Sequence, residues 1–227
     1  MPVYLINDTL AFPDPELASD DGLLATGGDL SVERLILAYS LGIFPWYSEE
    51  TDIMWWSPDP RMVLYPGQFK ISASLKQTLK RGAFDLRFDT AFAEVIELCA
   101  LVPRQGQDGT WITNKMKEAY SLLHTKGFAH SVEAYEGDKL VGGLYGIAIG
   151  KAFFGESMFH LQRDASKAAL AHLVQRLTEW GFQVIDVQQD TQHLRSMGAI
   201  TISRKSFLEG LQVAVKEPGY YGNWEKV

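Results

Sequence analysis

Apolar positions recur at helical spacing through much of the chain. Val32, Leu35, Ile36 and Tyr39 form one stripe and predict a helix over 31–41 that Gly42 stops. Later stripes at Leu75/Leu79, at Phe92/Val95/Ile96/Cys99 and at Met116/Ala119/Tyr120/Leu123, the last ending at Gly127, predict three more. The period then changes to two. HSVEAY and KLVGGLYGIAIG, joined by Glu136-Gly137-Asp138, predict a hairpin, and KAFFGESMF a third strand of an antiparallel sheet. A long helix follows, with Leu170, Leu173, Val174 and Leu177 on its stripe, Asp164 as its cap and Gly181 as its stop. The strand VIDVQQ at 184–189, a short helix TQHLRSM, a strand around AITIS and a helix with Leu208, Leu211 and Val215 complete the pattern. Residues 1–60, rich in Pro, Gly and aromatics, predict a small irregular N-terminal domain. Residues 61–227 predict a mixed α/β (α+β) domain with a largely antiparallel sheet.

Composition adds limits. With 46% hydrophobic residues, a chain of 227 can bury a real core. The apolar run 140–150 is broken by Lys151 and Glu156 well short of the roughly 20 residues of a membrane span, so no membrane association is expected. MPVYLINDTL lacks a basic, then apolar, leader, and Cys99 is the single cysteine; a cytoplasmic protein is the expectation. A net charge of −7 argues against a surface that is basic overall. It leaves room for a patch, and Lys76 and Lys80, at i,i+4 beside Arg81, are the candidate. A solvated helix face is the competing reading.

Three stretches carry candidate chemistry. Four glycines lie between Gly142 and Gly150, and a strand glycine marks a bulge, a bend or a close approach by another backbone or a ligand. A core hairpin whose glycines only relieve crowding reads equally well. Phe44-Pro45-Trp46-Tyr47 and Met54-Trp55-Trp56-Ser57-Pro58-Asp59-Pro60-Arg61 bring three of six tryptophans within eleven residues. Held on a stiff loop, such rings offer a nucleobase about 1–3 kcal/mol per stacked base; a tryptophan-rich plug between the domains is the other reading. In VIDVQQ, Val184, Asp186 and Gln188 share a face at period two, and polar groups on an apolar strand are costly unless hydrogen-bonded. A structural network and a reaction centre joined by Glu156 both fit. His124, His130, His160, His172 and His193 show no HExxH and no cysteine partners, and the chain has no GxSxG elbow or P-loop. Neither a metal nor a cofactor is expected, and Cys99 reads as core.

The element order matches the GCN5-related acetyltransferase fold. In that fold a Gly-rich loop before the long helix cradles the pyrophosphate of coenzyme A. Here the connection HLQRDASKAAL has no glycine, which removes the main support for acetyl-CoA. Taken together, the motifs resemble the bacterial leucyl/phenylalanyl-tRNA–protein transferases. The matching stretches are GLLATGGDLS at 22–31, GIFPWY at 42–47, WWSPDPR at 55–61, GTWIT at 109–113, AYSLLHTKGFAHSVE at 119–133, VGGLYGIAIGKAFFGESMF at 141–159, ASKAAL at 165–170, and IDVQQ followed by HLRSMGA within 185–199.

The resemblance implies a small N-terminal domain and an acetyltransferase-like C-terminal one. It implies transfer of Leu, Phe or, less readily, Met from aminoacyl-tRNA to the N-terminal Arg or Lys of a protein, creating an N-degron. It assigns the transfer to Asp186, Gln188 and Glu156, and puts Trp46 and Trp111 near the terminal adenosine. Phe153, Gly155, Met158, Leu170, Leu144 and Ile185 are expected to form an apolar pocket, Lys76, Lys80 and Arg81 to meet the tRNA backbone, and the chain to act as a monomer. The donor ester is already activated, so positioning supplies most of the catalysis. Asp186 is expected to orient and polarise Gln188, and Glu156 to attract the cationic acceptor or hold its amine. A coenzyme-A-dependent N-acetyltransferase and a non-catalytic RNA-binding module are the rival readings.

Overall fold

The aromatic N-terminal part, expected to be irregular around one helix, contains a four-stranded sheet. The structure, a computed structural model, describes residues 3–102 and 111–226, so Gly109 and Thr110 of GTWIT lie outside the described residues. Strands β1 (Tyr4–Ile6), β2 (Leu23–Gly27), β3 (Phe44–Pro45) and β4 (Met54–Trp56) take the order β1-β2-β4-β3. Strands of two to five residues, one holding Pro45, give no alternation long enough to read, which is why the pattern missed them. Helix α1 (Val32–Ser40) follows β2, and the Ser31 hydroxyl accepts the Arg34 amide as its cap. Trp55 is fully buried, its indole N–H donating to the Gly27 carbonyl at 2.9 Å. Trp55 is therefore a core residue and offers no platform to a base.

Seven strands make the main sheet: β5 (Arg61–Leu64), β6 (Asp85–Phe88), β7 (Ala129–Glu136), β8 (Lys139–Ile149), β9 (Ala152–His160), β10 (Val184–Gln188) and β11 (Ile200–Ile202). Their order is β11-β5-β10-β9-β8-β7-β6. β7, β8 and β9 form the expected antiparallel meander. β9 and β10 run parallel, and the other neighbours run antiparallel, so the sheet is mixed and largely antiparallel. Helices α2 (Ala73–Lys80), α3 (Phe92–Leu101), α4 (Asn114–Thr125), α5 (Ala165–Glu179), α6 (Gln192–Ser196) and α7 (Arg204–Ala214) complete the fold. Among the described residues no helix is long and apolar enough to cross a membrane.

One core joins the N-terminal residues Leu24, Leu35 and Trp55 to Phe92, Met116, Tyr145 and Phe154, on the sheet face that carries α3 and α4. On the other face, Leu144, Phe153 and Ile185 pack with Leu170 and Leu173 of α5. The expected cap of α5 needs correction. Asp164 occupies the cap position but has φ 68° and makes no capping hydrogen bond, because a capping side chain reaches the first-turn amides from an extended backbone. Its carboxylate instead faces Lys167 Nζ at 3.5 Å and Arg163 Nε at 3.8 Å.

The functional geometry begins where β9 and β10 part. They pair through Val184–Ala152, Ile185–Phe153 and Asp186–Phe154 and no further, while β9 continues along β8 to His160. Each strand carries a bulge at the parting point. Tyr145 and Gly146 of β8 face Ser157 and Gly155, so Glu156 is the extra residue of β9; Val187 is the extra residue of β10, opposite Val63 and Met62. A bulge bends its strand and re-aims the side chains beside it.

Candidate active site

The glycines of β8 and its turn are required by the chain itself. An added Cβ would lie 2.5 Å from Ala165 Cβ at Gly142, 2.8 Å from the Val132 oxygen at Gly143, 2.2 Å from the Phe154 oxygen at Gly146 and 2.4 Å from the Ala214 oxygen at Gly150. These four relieve crowding, as the blander reading held. Gly155 is different. A Cβ there would meet only the Asp186 oxygen at 3.7 Å and Val187 Cγ1 at 4.0 Å, ordinary contacts, and no positive φ demands glycine.

Gly155 opens onto a cavity of about 800 Å³ in the gap between β9 and β10. Leu144, Phe153, Gly155, Met158, Leu170 and Ile185 all line it, and Leu173 and Val187 extend its apolar wall. A smaller cavity of about 250 Å³ adjoins it, walled by Phe44, Pro45, Trp46 and Trp111. Trp56 buttresses this slot: its indole N–H donates to the Trp46 carbonyl at 2.7 Å and the two rings meet edge to face at 5.7 Å. Glu156 and Gln188 line both cavities, so they stand where the two meet. Lys76, Lys80 and Arg81 are exposed on α2 and at its end, and line neither cavity.

Asp186 meets both Arg61 and the backbone of Gln188. Its carboxylate, fully buried, is gripped by Arg61 through Nε–Oδ1 at 2.8 Å and Nη2–Oδ2 at 2.7 Å. The Arg61 guanidinium lies between the rings of Phe44 and Phe207, 4.8 and 4.7 Å from their centroids. Asp186 Oδ1 also accepts the backbone N–H of Gln188 at 3.0 Å. That bond holds Gln188 at φ 55°, a left-handed conformation that costs a residue other than glycine about 1–3 kcal/mol. Asp186 therefore sets the backbone of Gln188, and Glu156 sets its side chain: Gln188 Nε2 donates to Glu156 Oε1 at 3.3 Å. With its nitrogen turned to the carboxylate, the amide presents its oxygen as an acceptor.

Two tyrosines complete the polar centre. Tyr39 Oη of α1 donates to Glu156 Oε1 at 2.8 Å, and Tyr120 Oη of α4 to Oε2 at 3.1 Å. Burial pushes the Glu156 carboxyl up to about 7; the two phenols pull it down, Asp186 raises it and Arg61 lowers it. Both phenols are held well above their ordinary range by burial and by the facing carboxylate. Sequence reasoning missed Arg61, although it ends the WWSPDPR stretch, and read both tyrosines as core stripe. The available signal was the hydroxyl itself, since a buried tyrosine usually finds a hydrogen-bond partner. Among the described residues no group of three His, Cys, Asp or Glu side chains could hold a metal ion.

The family model for leucyl/phenylalanyl-tRNA protein transferase matches residues 63–212, and that for the N-terminal domain of the same transferase matches residues 28–59. The chain belongs to this family. The leucyl/phenylalanyl-tRNA–protein transferase of Syntrophobacter fumaroxidans is 56% identical over 225 residues, covering 99% of this chain and 96% of its own. That of Myxococcus xanthus is 53% identical over 226 residues, with 99% and 97% covered. Among solved structures, a GCN5-related N-acetyltransferase from Kribbella flavida matches with a TM-score of 0.36 at 10% identity, over 74% of this chain and 60% of that one.

Proposed function

We propose that the chain transfers Leu, Phe and, less readily, Met from aminoacyl-tRNA to the N-terminal Arg or Lys of acceptor proteins, forming a peptide bond and creating an N-degron. The observation that carries this reading is the meeting of an apolar cavity and an aromatic slot at Glu156 and Gln188. An aminoacyl-adenosine end has the same three parts: an apolar side chain, a flat base, and the reacting ester between them. The adenine stacks at Trp46 and Trp111, and the aminoacyl side chain enters among Leu144, Phe153, Met158, Leu170 and Ile185. Methylene-scale discrimination in such a pocket is only about 1–3 kcal/mol, which gives a relaxed preference among unbranched and γ-branched side chains.

The chemistry asks for little beyond position. An α-amine of pKa about 7.7–8.0 keeps on the order of a tenth of its population neutral at pH 7. The Gln188 amide oxygen accepts an N–H of that amine and fixes its line of attack on the ester carbonyl. Asp186, neutralised by Arg61, keeps Gln188 in its turn. Glu156 faces the acceptor amine. Lys76, Lys80 and Arg81 take the tRNA backbone on the exposed face of α2, and the protein works as a monomer of two domains, 1–60 and 61–227. Coenzyme A fits poorly. The loop before α5 lacks the glycines whose backbone amides would cradle that cofactor's pyrophosphate.

Radiolabelled Leu supplied as Leu-tRNA is expected to appear on a peptide beginning with Arg, and not on the same peptide with an acetylated N-terminus. Saturable acetyl-CoA binding with no labelled peptide would replace this reading by its rival.

A further inference from the structure

Glu156, Tyr39 and Tyr120 form a closed triangle whose proton count is one short. The edges are Tyr39 Oη to Tyr120 Oη at 2.5 Å, Tyr39 Oη to Glu156 Oε1 at 2.8 Å and Tyr120 Oη to Glu156 Oε2 at 3.1 Å. Every edge needs a proton, and each phenol supplies one. With Glu156 ionised, two protons serve three edges, and one pair of oxygens meets lone pair to lone pair. A proton on Glu156 closes the ring. The carboxyl also opens onto both cavities and receives Gln188 Nε2, so the vacancy for a proton lies at the point where an acceptor amine would meet an ester.

We propose that Tyr39 and Tyr120 are positioning residues that make Glu156 the proton store for acyl transfer. Glu156 takes the proton that the acceptor amine gives up as the C–N bond forms, and returns it to the ribose oxygen as the ester C–O bond breaks. This rests on the aminoacyl-transfer reading. The balance closes within the reactants: the nitrogen ends one proton poorer, the released hydroxyl one richer, and Glu156 unchanged. A group that must both take and give a proton works best when its pKa lies near the working pH, and burial brings Glu156 to about 7. The groups facing it are Tyr39 from α1, Tyr120 from α4, Gln188 and Asp186 from β10 and Arg61 from β5, with Tyr145 of β8 packed edge-on against Tyr120. Asp186 and Arg61 form an ion pair with each other and so offset one another at the carboxyl.

The test compares Tyr39→Phe, Tyr120→Phe and the double variant with the unaltered enzyme, with kcat measured against pH for Leu transfer to an Arg peptide. Each single change is expected to lower kcat on the order of 10–100-fold, to leave KM for Leu-tRNA unchanged and to move the low-pH limb of kcat upward, because a donor to the carboxylate has been lost. The acceptor amine titrates identically in all of them, so a displaced limb reports Glu156. Unchanged kcat and an unmoved limb in both single variants would overturn the proposal while leaving the transfer reading intact; no transfer by the unaltered enzyme would remove that reading itself. Should the phenylalanine variants fail to fold, infrared difference spectra between the unaltered protein and Glu156→Gln decide. A carboxylic-acid band that disappears near pH 7 supports the store, and a carboxylate already ionised at pH 5 refutes it.

Discussion

Replacing Gly155 with alanine separates the needs of the fold from those of the substrate. The new Cβ would sit 3.7 Å from the Asp186 oxygen and 4.0 Å from Val187 Cγ1, distances of ordinary packing. Since the backbone at Gly155 is not at positive φ, the change also restricts the unfolded chain, and the folded state is expected to gain about 0.4–1 kcal/mol. The same methyl projects into the cavity at the gap between β9 and β10. If a substrate occupies that space, one added methylene-sized group costs it about 1–3 kcal/mol of overpacking, or roughly 5- to 150-fold in kcat/KM. Phe, the bulkier donor, should lose more than Leu. Gly146→Ala is the contrasting variant: its Cβ would lie 2.2 Å from the Phe154 oxygen, so it should fail by losing stability. Thermal melting together with kcat/KM for Leu-tRNA and Phe-tRNA reads both effects. A Gly155→Ala enzyme that melts at or above the unaltered temperature yet transfers both amino acids at full rate would refute the assignment of this space to substrate.

Other outcomes follow from the buried charges and the exposed helix. Arg61→Met leaves the Asp186 carboxylate buried and unpaired, and urea unfolding should show a loss of about 3–5 kcal/mol; Arg61→Met with Asp186→Leu should recover most of that stability without recovering transfer, because Gln188 loses the acceptor of its backbone N–H. Glu156 makes stability fall with rising pH: the folded state keeps the proton up to about 7 while the unfolded chain releases it near 4.5. Over that window its contribution falls by about 3 kcal/mol and is flat on either side, so unfolding curves taken from pH 4 to 8 should show the decline in the unaltered protein and lose it in Glu156→Gln. Lys76→Glu with Lys80→Glu should weaken tRNA binding and flatten its dependence on salt by about two counterions, with transfer from a minimal aminoacyl-adenosine unaffected; an unaltered salt slope would take α2 out of the interface.

How much of this was legible follows from the length of each pattern. The stripe of α5 and the alternation of β7 through β9 run over many residues, so the long helix and the meander could be read directly although β9 carries the bulge at Glu156. β1 to β6 have five residues or fewer, and apart from β3 with β4 they pair with strands more distant in sequence. Arg61 illustrates the difference. Nothing local marks the last residue of WWSPDPR as the counter-ion of a carboxylate on β10, 125 residues later.

The reactive centre was half legible for a different reason. Period-two reasoning placed Asp186 and Gln188 on one face, and would have kept both there had β10 been regular. The extra residue Val187 breaks that alternation, while Glu156 is itself the extra residue on the strand opposite. Each bulge alone would merely bend its strand. Paired across the point where β9 and β10 stop sharing hydrogen bonds, they bring a carboxylate and an amide within 3.3 Å at the edge of a cavity that neither regular strand would have opened. The residue types that do this are visible in the sequence, but the two slips in register are not, because a bulge is a property of a strand pair and each strand was read alone. The left-handed conformation of Gln188 is the local trace of that geometry, and Asp186 holds it from inside the core, linking the buried ion pair to the amide that faces the substrate.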